Sequence, residues 1–198
     1  CTIGLTAVQG VTLAPVAIGA VLMVMVYMGG HVSGAHYNPA ISLAVLIRGK
    51  IESKIFLPYL VAQFLGAFVA ACAVYSITGK TFALAPTENV SATSALLVEF
   101  LFTFALALVI LNVATAPATE GNSFYGLAIG FTITAAAFAG GPISGGAFNP
   151  AVGFGPMLLN GIVSGGSFSA LWIYLVGPLS GGILASLIYK FQNPEKVN

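Results

Sequence analysis

What this chain has least of is charge. Of its 198 residues only 6% are Asp, Glu, Lys or Arg, six basic and five acidic. An ordinary soluble domain carries roughly 25%. So few charges cannot cover the surface of a soluble protein of this size. The formal net charge of +1 also excludes a nucleic-acid or acidic-substrate partner held by a basic face. Cysteine is scarce as well: Cys1 and Cys72 sit far apart in apolar surroundings. They allow no disulfide framework and no metal spacing, and read as small core or lipid-facing residues. No nucleophile, base or metal constellation can be assembled from what remains, so an enzyme is not expected and no cofactor is implied. The short alternating segments of a transmembrane barrel are absent too.

What is present is apolar. Residues of the hydrophobic class make up 58% of the chain, in long runs separated by short Gly/Pro/Ser-rich loops. That pattern reads as a helical membrane bundle, an all-α membrane protein in contact with the lipid bilayer. Full crossings are expected at about 13–29, 55–77, 93–114, 124–140 and 168–191. Two apolar segments, 38–47 and 149–160, are too short to cross, and residues 1–8 form a stub. Five full crossings, two half-crossings and a stub result.

The most specific signal is a duplicated tripeptide. Asn38-Pro39-Ala40 and Asn149-Pro150-Ala151 stand 111 residues apart, each after a Ser-Gly-rich loop and before a half-length apolar segment. Asn is a good N-cap, and Pro is tolerated at the first helical position because its missing N–H would be unpaired there anyway. Each copy is therefore a helix start. Broken backbone at membrane depth is tolerated only where protein or a wet cavity surrounds it. Two such starts meeting near the midplane would each bring roughly half a positive charge, and the Asn38 and Asn149 amides could donate hydrogen bonds into a lumen. A water or alcohol oxygen suits that site. A hydronium or metal cation does not.

Charge placement gives an orientation. Arg48, Lys50, Lys54, Lys190 and Lys196 fall on one side of the threading and Lys80 on the other, which puts the C-terminus in the cytoplasm. The half-crossings then enter from opposite faces as an inverted repeat. Repeat one covers about 1–77 and repeat two about 93–191, within one domain spanning 1–198. Tyr59-Leu60-Val61 and Tyr174-Leu175-Val176 open corresponding spans. Glu99 lies in the first helix of repeat two, and its counterpart in repeat one would precede residue 1, so the sequence reads as truncated at its N-terminus.

The stretches Ser33-Gly34-Ala35-His36-Tyr37-Asn38-Pro39-Ala40 and Ser144-Gly145-Gly146-Ala147-Phe148-Asn149-Pro150-Ala151 closely resemble the signature loops of aquaporins, the major intrinsic protein family. The resemblance extends over essentially the whole chain and implies an aquaporin-like fold and a homotetramer with one pore per subunit. The implied activity is passive passage of water, extending to small neutral solutes, with protons and ions excluded at the paired motifs. It also places the narrowest point of the pore at Ile18, Ala137, Gly146 and Val152. Strict water channels of the family usually carry a large aromatic, a His, a small residue and an Arg there, so three of the four depart. Val152 in place of Arg implies a wider, more apolar constriction open to glycerol, urea, ammonia or hydrogen peroxide. Gly153 stands where glycerol-conducting members have Asp.

Other residues keep two readings. His36 either ties its loop down or lines the pore. His31 is a candidate pH sensor or a plain interfacial residue. Glu99 and Gln63 are expected to support the loops behind the pore. Tyr27, Phe138 and Phe148 either line the pore or pack. Asn89-Val90-Ser91 is a glycosylation sequon of the kind common by chance. A secondary transporter would also use inverted repeats and broken helices, but it needs a coupling-ion site, and Glu99 is the only intramembrane carboxylate. A structural role at a membrane junction is the remaining alternative.

Overall fold

The structure, a computed structural model, describes residues 1–194; Lys196, counted above for orientation, lies outside them. Among these residues there are eight α-helices, one short 3₁₀ turn and no strand. The helices are α1 (Thr2–Gln9), α2 (Ala14–Ser33), α3 (Pro39–Ile47), α4 (Ser53–Thr78), α5 (Ala92–Thr115), α6 (Tyr125–Ser144), α7 (Pro150–Ser164) and α8 (Leu171–Gln192). Five of them, α2, α4, α5, α6 and α8, are long and apolar enough to cross a membrane. The chain is a multi-pass integral membrane protein of all-helical architecture.

The two short helices begin as the tripeptides demand. Asn38 and Asn149 are extended, with φ of −153° and −163°, and each side-chain oxygen accepts the backbone N–H two residues on, at 2.9 and 3.0 Å. Pro follows at the first helical position in both. The helices differ in length: α3 has nine residues and α7 fifteen, or about 14 and 22 Å of rise. So α7 runs four residues past the expected end at Asn160. Arg48 closes α3 with its guanidinium 5.0 Å from the centre of the Tyr189 ring. A cation there faces both an aromatic surface and the negative end of the helix dipole.

Two boundaries differ from the sequence reading in the same way. The stretches Gly30–Ser33 and Gly141–Ser144 are not loop; they complete α2 and α6. The glycines just before them, Gly29 and Gly140, serve helix contact. A Cβ on Gly140 would lie 2.8 Å from Val98 and 2.9 Å from the Phe148 ring, and one on Gly29 would overlap the Tyr37 hydroxyl. Pro142 sits in the last turn of α6 and, having no N–H, gives up one intrahelical bond there.

Small residues set the helix crossings. α2 and α6 cross where Gly19 meets Gly130, and a Cβ on Gly130 would stand 2.6 Å from the Gly19 carbonyl. α8 lies against α5 through Gly177 and Gly181, and against the start of α3 through Gly182. In lipid no apolar driving force brings helices together, so close backbone approach and dispersion must do it. Gly19 and Gly130 occupy the same place in the two repeats.

Candidate pore and its two helix starts

The two Asn-Pro-Ala turns hold each other. The Asn38 amide donates to the Phe148 carbonyl at 2.8 Å, and the Asn149 amide donates to the Tyr37 carbonyl at 2.8 Å. Each asparagine thus grips the residue just before its partner. Both side-chain oxygens are turned to their helix caps, and each amide keeps a second N–H to offer a lumen. Two helix N-termini therefore converge with donors and partial positive charge.

The loops leading to these turns repeat the same hydrogen bonds. Ala35 N–H donates to Ser33 Oγ at 3.3 Å, and Gly146 N–H to Ser144 Oγ at 3.1 Å. The Tyr59 hydroxyl donates to the Ser33 carbonyl at 2.9 Å, and the Tyr174 hydroxyl to the Ser144 carbonyl at 2.5 Å. The Tyr-Leu-Val pair marks these two donors in the sequence. Both loops also take left-handed backbone at matching places: Gly34 and Gly145, then Ala35 and Gly146, then Tyr37 and Phe148, with φ between 48° and 87°. Ala35, Tyr37 and Phe148 are non-glycine residues held there, a strain of about 1–3 kcal/mol each that the surrounding bonds must offset.

Behind the second loop stands Glu99, fully buried on α5. Its Oε1 accepts Ser144 Oγ–H at 2.7 Å and Ala147 N–H at 2.9 Å, and its Oε2 accepts Phe148 N–H at 2.6 Å. Three donors from the loop converge on one carboxyl group. Behind the first loop the arrangement differs. His36 N–H donates to the Tyr59 hydroxyl at 3.2 Å, and His36 Nδ1 lies 3.1 Å from Ser42 Oγ. Gln63 Nε2 donates to that same Ser42 oxygen at 2.9 Å, while its Oε1 is buried without a partner.

A cavity of about 980 Å³ runs past these groups. Asn38, Asn149, His36 and Phe148 line it, and so do all four expected constriction residues, Ile18, Ala137, Gly146 and Val152. Pro39, Ala40, Pro150 and Ala151 are buried in the two helix starts beside it. Gln63 and Glu99 do not line the cavity; each acts on a loop from behind. Tyr27 and Phe138 are off the wall as well. The Tyr27 hydroxyl donates to the Ser123 carbonyl at 2.9 Å, with its ring edge-on to Tyr125, and Phe138 is exposed on the outside of α6. His31 is exposed and lies away from the cavity. At the far mouth Lys50, Glu120 and Tyr125 complete the lining. Among the described residues no group of three or more His, Cys, Asp or Glu gathers that could hold a metal ion.

The structure also explains Gly153. A Cβ there would overlap the Cβ of Tyr174, the residue whose hydroxyl caps α6. No side chain fits, an Asp least of all. The sequence reading missed the hydroxyl residues Ser33, Ser42, Ser144 and Thr87. Single serines and threonines carry no pattern, although the Ser-Gly step shared by both loops pointed to two of them.

Residues 3–189 match the family described as Major intrinsic protein. The chain is 36% identical over 183 residues to the probable aquaporin TIP2-2 of Oryza sativa subsp. japonica, covering 92% of this chain and 72% of that one. It is 36% identical over 173 residues to aquaporin NIP1-1 of Zea mays, covering 86% and 59% respectively. The X-ray structure of the aquaglyceroporin from Plasmodium falciparum superposes with a TM-score of 0.81 at 26% identity, over 89% of this chain and 80% of that one. The chain thus spans about three fifths to three quarters of the length of these plant relatives. With the fold, the paired helix starts and these similarities together, the chain belongs to the major intrinsic protein family and has the aquaporin fold.

Proposed function

We propose that the protein is a passive transmembrane channel for water and small neutral solutes. The observation that carries this is the reciprocal clasp of Asn38 and Asn149 inside one continuous cavity. A permeating oxygen can accept from the two remaining amide N–H groups, while a cation meets two positive helix ends, with both Asn oxygens turned to their caps. A hydronium ion faces the same field. Glu99, His36 and Gln63 hold the two loops from behind or from the wall and take no part in chemistry.

Selectivity belongs to the wall formed by Ile18, Ala137, Gly146 and Val152. None of the four side chains is charged or can hydrogen bond, so a solute passing there is judged by size and by its cost of dehydration. That favours small uncharged molecules, with glycerol, urea, ammonia and hydrogen peroxide as the set to try beside water. Cation exclusion rests on the central asparagines. The subunit is read as one pore of a homotetramer, oriented with Arg48, Lys50, Lys54 and Lys190 toward the cytoplasm.

The test is stopped-flow light scattering on vesicles carrying the protein, with water, glycerol, urea and ammonia compared. Flux above empty vesicles for water and at least one solute is expected. Substituting Val152→Arg should then lower solute flux more than water flux. If it lowers neither, the wall is misassigned.

A further inference from the structure

Ala137 lies two turns before the end of α6, and that end leads through Gly145 to Gly146. Four carbonyls at a helix end lack intrahelical partners, and here each has found one. Gly141 O accepts Gly145 N–H at 2.9 Å, and Ser144 O accepts the Tyr174 hydroxyl at 2.5 Å. The two between them go to a single residue outside the pore. Thr87 Oγ1 donates to Pro142 O at 2.6 Å, and Thr87 N–H donates to Ile143 O at 3.0 Å.

Thr87 sits in the strap of residues 79–91 that joins α4 to α5. The strap is tied down elsewhere too. Thr81 Oγ1 donates to Asn160 Oδ1 at 2.7 Å near the end of α7. Leu84 is buried in the cluster that contains Ala147 and Tyr174, with Val152 packed against it. Ala85 presses on the pore loop itself: a Cβ on Gly145 would stand 2.9 Å from its carbonyl. The strap thus touches every element that supplies the second half of the wall, and Thr87 is where it bonds the end of α6.

We propose that Thr87 is a positioning residue for the solute-selective wall: its two hydrogen bonds fix the end of α6 and thereby the gap that Gly146 and Ala137 leave to Val152 and Ile18. This rests on the channel reading above. Without the hydroxyl, Pro142 O loses its partner and the turn through Gly145 and Gly146 gains freedom. Both glycines have φ above 70°, a region glycine visits at little cost, so the turn is held by its hydrogen bonds and not by its own backbone preference, and each bond lost widens what it can sample. The wall loosens, and the larger solute gains more than water.

The experiment compares the full chain with Thr87→Val and Thr87→Ser. Valine keeps the branched shape and the backbone bond to Ile143 and puts a methyl, which must draw back from Pro142 O, in place of the hydroxyl; serine keeps the hydroxyl and drops the methyl. In vesicles the glycerol-to-water permeability ratio is measured, and in detergent the hydrogen exchange of amides within 140–149. T87V is expected to raise the ratio at least about threefold and to speed exchange at 145–148 roughly fivefold, the population change of one lost hydrogen bond. T87S should return both to the wild-type value. An unchanged ratio in T87V, or a change that serine does not reverse, overturns the proposal. If wild-type vesicles pass neither glycerol nor water, the channel reading has failed and the exchange data decide alone. Equal exchange in T87V and wild type then overturns a positioning role, and faster exchange reversed by serine supports it.

Discussion

Replacing Glu99 by Gln tests how the second pore loop is held. The carboxylate accepts two backbone N–H groups and one hydroxyl at 2.6–2.9 Å and is fully buried, so no water can take its place. An amide has one oxygen and an NH2 group that only donates. If its nitrogen faces Phe148, a donor meets a donor; if it is turned, the Ala147 N–H is stranded instead. The Ser144 hydroxyl can rotate to adapt, and a backbone N–H cannot. One charge-assisted bond is lost, worth about 1.5–3 kcal/mol, and the others fall toward neutral strength. The total is roughly 3–5 kcal/mol, or about 10 °C in the midpoint of thermal unfolding for a chain of this length. Unfolding in detergent, followed by intrinsic fluorescence, reads this directly. A midpoint within about 2 °C of wild type would show that the three bonds do not hold the loop.

Three further outcomes follow from the same geometry. Gln63→Leu removes one donor to Ser42 together with a buried, unpartnered oxygen, so the two effects offset and stability should change by less than ~1 kcal/mol in the same assay. Gly153→Ala forces a Cβ into Tyr174, and a cost of about 2–3 kcal/mol is expected in thermal unfolding; wild-type stability would refute the close approach of α7 and α8. Val152→Arg brings a long cationic side chain to the wall, and glycerol flux in vesicles should fall roughly tenfold, equivalent to ~1.4 kcal/mol on the barrier, while water flux falls less.

Much of this architecture could be read from residue order, because membrane helices announce themselves by length and polarity. The five crossings came out within a few residues of their observed bounds. Asn38 and Asn149 were legible as helix starts because capping chemistry is local: an extended Asn, then Pro, then a helix. Gly30–Ser33 and Gly141–Ser144 misled for an equally physical reason. Gly and Pro weaken an isolated helix, but the neighbouring Gly29 and Gly140 let Tyr37, Val98 and Phe148 approach, and packing carries the helices on through these stretches. Glu99 stood out as an expensive carboxyl group in an apolar helix, so its burial was foreseeable, and the family resemblance pointed it at the backbone of the second loop; the Ser144 hydroxyl among its three donors was not foreseen. Nothing in the order of residues could show that Asn38 would donate to Phe148, or that Thr87 would bond two carbonyls more than fifty residues away. Those contacts are made by the threading of the whole chain.

The most direct test of the central claim is osmotic shrinkage of vesicles carrying the full chain, followed by stopped-flow light scattering while a pH-sensitive dye inside reports proton entry. The paired Asn38 and Asn149 turns predict shrinkage well above that of empty vesicles, with proton entry no faster than in empty vesicles. Shrinkage no faster than in empty vesicles, or a proton leak that rises in step with water flux, would contradict it.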